Sequence, residues 1–386
     1  MPTPRDRQAR IATFVVYAVQ GLSFITLLAQ VANLQTKHRL DEGALTILLL
    51  IVPVFAGLGS VGAGWFASRK GSKPLLRLAQ PAVAVAVVLI SLAPSVPLLV
   101  LALLLFGLGL GAVDAGINMQ GVAVERRYGR AVLNGFHCMW SVFSTAGALW
   151  ASVAAELPLI VTMTVPMVVA VAGSLYAGPQ LCTVEEEKVE ETAATAAGRF
   201  PWKPIIPLCL AMAFLYVGDA SVSNFSTVYM QQVLTATPAV VPLAYAAYQA
   251  TTLLIRLGGD VAVRKYGPAA IVRIGGGIAT LGFLGIVLAP NQPLAILAFG
   301  LTGVGLSVIA PQSFSAAGRL DPAGTGVAIA RVNMFNYVGF IVGAALVGGI
   351  ASASDMQVAF AAPLVLSAVI IVLARGFEPR RVKEAA

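Results

Sequence analysis

Apolar runs of about twenty residues, each long enough as a helix to cross roughly 30 Å of hydrocarbon, recur along the whole chain. They predict spans near residues 11–34, 43–67, 75–93, 98–124, 132–155, 157–178, 204–229, 238–263, 268–289, 293–317, 323–350 and 356–375, with short turns after the third and ninth. Backbone amides in lipid find no water, so each span must close its own hydrogen bonds as a helix. The pattern predicts an all-α membrane protein with twelve transmembrane helices.

Composition agrees. Of 386 residues, 58% are hydrophobic and 11% charged, whereas a soluble chain is about half apolar and a quarter charged. No polar stretch is long enough for a soluble catalytic domain, and no nucleophile–base–orienter set or metal-ligand spacing is visible. An enzyme, a metal site and an organic cofactor are not expected. Arg5, Arg7 and Arg10 precede the first span as in a signal peptide. Its apolar stretch is too long for one and no small-residue cleavage site follows, so the span reads as retained. Cys138, Cys182 and Cys209 are read as small packing residues.

The net charge of +8 suggests nucleic acid until its distribution is followed. If the termini and alternate loops share one side, 21 of the 25 Lys and Arg fall there, Lys37 and Arg39 fall opposite, and Arg256 and Arg331 lie within spans. Basic loops stay in the cytoplasm. The charge therefore reports topology, with both termini cytoplasmic in a multi-pass inner-membrane protein, and no nucleic-acid partner is expected.

The chain also repeats itself. Gly64-Trp-Phe-Ala-Ser-Arg69-Lys-Gly71 is echoed by Gly259-Asp260-Val-Ala-Val-Arg264-Lys-Tyr-Gly267, with Arg69 and Arg264 195 positions apart. Gly107 and Gly300, in matching Phe-Gly segments, are 193 apart, and Gly147 and Gly343 are 196 apart. Three echoes at nearly one offset predict two parallel six-helix repeats: an N-terminal half over 1–178, a cytoplasmic linker over 179–203 and a C-terminal half over 204–386. The linker carries Glu185-Glu-Glu-Lys-Val-Glu-Glu191 and reads as a solvated connector.

Six plus six spans with a basic Gly-x₄-Arg-Lys-Gly loop resemble the major facilitator superfamily over essentially the whole chain. The loop departs from the family pattern at Ser68, where an Asp is usual, and at Ser72, where a basic residue is usual. Gly107-Leu-Gly-Leu-Gly-Ala-Val-Asp114-Ala-Gly-Ile-Asn118 and Gly218-Asp219 with Asn224-Phe-Ser and Tyr229 resemble segments of the fucose-permease-like group and its bacterial relatives. The resemblance implies a secondary transporter in which spans 1, 4, 7 and 10 line the cavity.

Ionisable residues inside a membrane are functional candidates because lipid penalises charge. Asp114 lies roughly 15 Å into span 4 at 1.5 Å per residue, with Asn118 and Glu125 on its face. Asp219 in span 7 shares a stripe with Tyr216, Ser223 and Ser226. Both acids are read as proton-coupling sites, with a structural acid as the competing role. His137 in span 5 is a third proton candidate, matched by symmetry to Asn333. Gln20, Asn118, Gln249, Asn333 and Asn336 are the expected substrate contacts, although helix–helix hydrogen bonds use the same residue types. Arg256 and Asp260, an i,i+4 pair, join Arg69 and Arg264 as gating candidates, and Arg331 snorkels to the cytoplasm or serves within the span.

These readings converge on a monomeric transporter in membrane lipid that moves a small polar, sugar-like solute by alternating access. The proton gradient drives it in place of a cofactor. The alternatives are a drug or metabolite exporter of the same fold and a non-transporting membrane sensor.

Overall fold

The computed structural model describes residues 2–40, 42–188, 202–237, 240–321 and 323–378. The 189–201 part of the linker, with Arg199, and the basic terminus with Arg380, Arg381 and Lys383 lie outside them. The described residues form sixteen α-helices and no strand. The first seven are α1 (Pro4–Leu28), α2 (Val31–His38), α3 (Glu42–Lys70), α4 (Ser72–Leu92), α5 (Val96–Tyr128), α6 (Leu133–Val153) and α7 (Leu159–Ala177). The four-residue α8 (Val184–Glu187) lies in the linker. There follow α9 (Ile206–Gln232), α10 (Leu243–Tyr266), α11 (Pro268–Leu288), α12 (Gln292–Leu306), α13 (Ile309–Leu320), α14 (Val327–Ala353), α15 (Met356–Ala359) and α16 (Ala361–Leu373).

The twelve expected spans are all present as helix, three of them as two pieces. Span 1 starts earlier than hydropathy suggests. Thr3 and Asp6 form a capping box, and Pro4 fills the first helical position, where no amide hydrogen is needed. The helix then turns after Leu28 and resumes as α2. Span 10 breaks at Ser307–Val308 into α12 and α13, and span 12 is α15 plus α16. Ten helical stretches among the described residues are long and apolar enough to cross a membrane. The two others of spanning length, α6 and α10, are interrupted by polar residues: α6 carries Asn134, His137 and Ser141, and α10 carries Gln249, Thr252, Arg256 and Asp260.

The chain divides into two compact units, one of Met1–Arg199 with Asp321–Val338, the other of Phe200–Leu320 with Gly339–Ala386. In the first, α1 packs on α6 and α7, α3 on α5, and α4 on α5 and α7. In the second, α9 packs on α16, α10 on α12, and α11 on α12 and α16. The α1–α7, α3–α5, α4–α5 and α4–α7 pairings thus recur one repeat later, as the duplicated sequence requires. Each unit turns large apolar side chains outward, among them Leu78, Leu101, Val168 and Leu175 in the first and Leu257, Leu281, Leu297 and Val372 in the second. In water such a surface would drive aggregation; against acyl chains it is the ordinary face of a membrane bundle.

Candidate functional site

Within the first unit a polar cluster forms around Asp114, at mid-length of the 33-residue α5. Its Oδ1 accepts a hydrogen bond from the Gln20 Nε2 of α1 at 2.7 Å, and its Oδ2 accepts one from the Tyr337 hydroxyl of α14. One turn on, Asn118 donates from Nδ2 to the Asp114 carbonyl at 2.8 Å and accepts from the Tyr17 hydroxyl, also at 2.8 Å. Tyr17 is buried; it stacks on Phe136 and meets His137 edge-on, with ring centroids 5.2 Å apart. Nearer the start of α14, Asn333 donates to the Ser60 hydroxyl at 3.1 Å, and that hydroxyl donates to the Ala330 carbonyl at 2.9 Å.

Four of the sequence candidates therefore meet in one unit, Gln20, Asp114 and Asn118 in direct contact and His137 through Tyr17, while Asn333 is bonded separately to Ser60 of α3. The donors to the Asp114 carboxylate, an amide and a phenol, are both neutral. Such a carboxylate can gain or lose a proton without breaking an ion pair.

In the second unit Asp219 of α9 accepts a hydrogen bond from the Tyr248 hydroxyl of α10 and lies in the field of Arg256. Tyr245 stacks alongside Tyr248, with centroids 6.3 Å apart. The second carboxylate thus has a cation near it. Replacing Tyr248 by Phe removes its neutral donor, and losing one buried hydrogen-bond partner costs about 1–3 kcal/mol. The expected result is a lower thermal unfolding midpoint for the purified Tyr248→Phe protein, partly recovered when Asp219→Asn is added.

Gln249 is exposed on α10, and Asn336 is half-buried on α14. Arg69 folds back on its own helix, donating to the Trp65 carbonyl at 3.3 Å with its guanidinium 4.1 Å from the Trp65 ring. Arg264 is exposed, Arg256 and Asp260 half-buried. Sequence reasoning passed over Tyr17, Ser60 and Tyr248. Each is an ordinary membrane-helix residue, and only its partner on a distant helix marks it.

The sequence profile of the Major Facilitator Superfamily matches residues 10–317 and 208–386. The uncharacterized transporter y4wD of Sinorhizobium fredii is 28% identical over 361 residues, 93% of this chain and 95% of its own. The crystal structure of the transporter FucP in its outward conformation superposes with a TM-score of 0.79 at 13% identity, covering 95% of this chain and 98% of that one. The proton:xylose symporter XylE bound to 6-bromo-6-deoxy-D-glucose gives 0.76 at 12% identity, over 96% and 95%. At such identities the structural likeness speaks for the fold.

Proposed function

The chain belongs to the Major Facilitator Superfamily, a family of transporters rather than enzymes, and from that premise we propose that it is a proton-coupled carrier of a small polar organic solute. The observation that carries this reading is Asp114, a membrane carboxylate held by the neutral donors Gln20 and Tyr337. It is the proposed proton site, with Asp219 as a second, charge-paired carboxylate and His137, through Tyr17, as an auxiliary group. Gln20, Asn118 and Asn333, with Gln249 and Asn336, are the proposed solute contacts; amides and hydroxyls suit a multi-hydroxyl solute better than a lipophilic cation. Arg69, Arg256, Asp260 and Arg264 are proposed to gate the cycle. FucP, a fucose:proton symporter, and XylE, a proton:xylose symporter, lend support by analogy.

By the distribution of Lys and Arg the termini and the linker are cytoplasmic, and the 1–178 and 204–386 halves rock about the membrane midplane as a monomer. The test uses proteoliposomes loaded with a pH dye and a panel of sugars, polyols, amino acids and organic acids. Interior acidification that follows one polar solute is the expected result. Flux of that solute with no proton movement overturns the coupling, and inhibition by a broad range of lipophilic compounds instead points to export.

A further inference from the structure

The linker is not wholly solvated. Residues 181–188 fold onto the ends of α4 and α5, and Glu187, in the middle of an acidic run, is buried. Thr183 and Glu186 cap α8 reciprocally, and Arg5 of α1 anchors it by donating to both Glu186 oxygens at 2.9 and 2.6 Å and to the carbonyls of Gln180 and Leu181 at 2.6 and 2.8 Å.

The Glu187 carboxylate accepts from the Ser72 amide at 3.1 Å, the Ser72 hydroxyl at 2.8 Å and the Gln120 Nε2 at 2.8 Å. Its own carbonyl faces the Arg126 guanidinium at 3.4 Å, and that guanidinium donates to the Asp321 carbonyl at 2.9 Å. Two glycines make the fit possible. Gly71, at φ 78°, gives room to Val184, and Gly324, at φ 65°, lets its backbone press on the Glu187 carbonyl; both left-handed conformations disfavour any residue with a Cβ. The segment thus joins α4, α5 and the start of Asp321–Val338, a stretch that belongs in sequence to the C-terminal half.

We propose that residues 181–188 form a pH-responsive latch that grips the turn at Gly324 and Gly326 while Glu187 is protonated and loosens its grip when Glu187 ionises. The charged and titratable groups around it are Lys73 on α4, Glu125 and Arg126 on α5, Asp321 on the loop, and Cys182, Glu185, Glu186 and Lys188 on the latch itself. Lys73 is turned to the Pro179 carbonyl at 2.7 Å, Glu125 to the amides of Val132 and Leu133, and Asp321 to Thr325. Arg126 meets the Glu187 backbone, so the carboxylate's direct hydrogen-bond donors are neutral.

Burial disfavours the charged form more than the hydrogen bonds from Ser72 and Gln120 favour it, and the carboxyl is pushed up from 4.5 to about 7. The sign follows from linkage. The closed latch holds a proton that the open one gives up. The ratio of open to closed therefore rises about tenfold per pH unit between about 4.5 and about 7 and is flat above that. With the linker in the cytoplasm, which rests on the proposed topology, acid tightens the latch. A cell already loaded with protons would so restrain the carrier that brings them in.

The test is amide hydrogen exchange of 181–188 and 323–326 in the full-length protein in nanodiscs, without solute, from pH 5 to 8. Rates are corrected for the intrinsic rise of exchange with pH. Wild-type protection is expected to fall roughly tenfold per unit up to about 7. Glu187→Gln, which keeps the acceptor oxygen and carries no charge, should stay protected throughout, and Glu187→Ala should be unprotected throughout. Wild-type protection that is flat or rises with pH, or a Glu187→Gln protein that titrates like the wild type, overturns the latch. Asp114→Asn should titrate as the wild type does, so a failure of the coupling proposal leaves this result readable.

Discussion

Asp114→Asn, from the proposed role of Asp114 as the proton site, is expected to turn an accumulating carrier into one that only equilibrates its solute. One pH unit across the membrane is worth about 1.4 kcal/mol per proton, which with one proton per solute sustains a roughly tenfold concentration ratio. Asparagine still offers an oxygen to the Gln20 amide or the Tyr337 hydroxyl, so the contacts that place α1 and α14 on α5 survive in part. What is lost is the group that can cycle between charged and neutral. The expected outcome in proteoliposomes under a one-unit gradient is a tenfold ratio for wild type, a ratio of one for Asp114→Asn, and intact solute counterflow for both. Asp219→Asn, whose carboxylate lies beside Arg256, should slow transport and still accumulate. Tenfold accumulation by Asp114→Asn would refute its assignment as the proton site.

The second large effect is expected one turn earlier on the same helix. A Cβ at Gly111 would lie on the Ala56 carbonyl, one at Gly107 2.8 Å from the Val52 carbonyl, and one at Gly59 on the Leu108 carbonyl. Backbone meets backbone along this α3–α5 seam, and neither helix has a side chain that can rotate away. Overpacking usually costs 1–3 kcal/mol, and the rigidity here places Gly111→Ala at about 3 kcal/mol. Separation of the helices would also carry Asp114 away from Gln20. Gly62→Ala, with nothing within 4 Å of the added carbon, is the control and should be neutral or slightly stabilising. Thermal midpoints read by fluorescence-detected size exclusion separate the two, and equal midpoints would show that the seam yields more easily than its geometry suggests.

The fold was legible because the membrane imposes it. Each span must be largely apolar and close its backbone hydrogen bonds as helix, even where spans 1, 10 and 12 break in two, so hydropathy locates the elements, and the echoes of Arg69 in Arg264 and Gly147 in Gly343 disclose the duplication. Asp114 and Asp219 stood out for the converse reason, as charges where lipid penalises them. Gln20 stood out as a polar residue within a span, but its pairing with Asp114, like those of Tyr337 and Tyr248, was not legible. Tyr337 reaches Asp114 across 223 positions, and a tyrosine near a membrane helix is unremarkable by composition. Glu187 was hidden differently: in a run of glutamates it reads as solvated, and only the fold shows that Ser72 and Gln120 enclose it while Glu185 stays in water. Ser72, noticed as a departure from the family pattern, takes on a meaning once Glu187 occupies its amide and hydroxyl.

The three cysteines, all buried as packing residues, acquire an experimental value from where they lie. Cys138 and Cys209 sit on α6 and α9 among packed side chains, whereas Cys182 is part of the latch, its amide bonded to the Gln120 Oε1 of α5 at 2.8 Å. Burial, with the charge of Glu186 behind it, pushes the Cys182 thiol up to about 12. At neutral pH it therefore holds almost no reactive thiolate. A membrane-impermeant maleimide should find the resting protein nearly inert. Each Cys182 adduct would then register one excursion of the segment away from α5, a molecular clock that the chain carries without any engineered label.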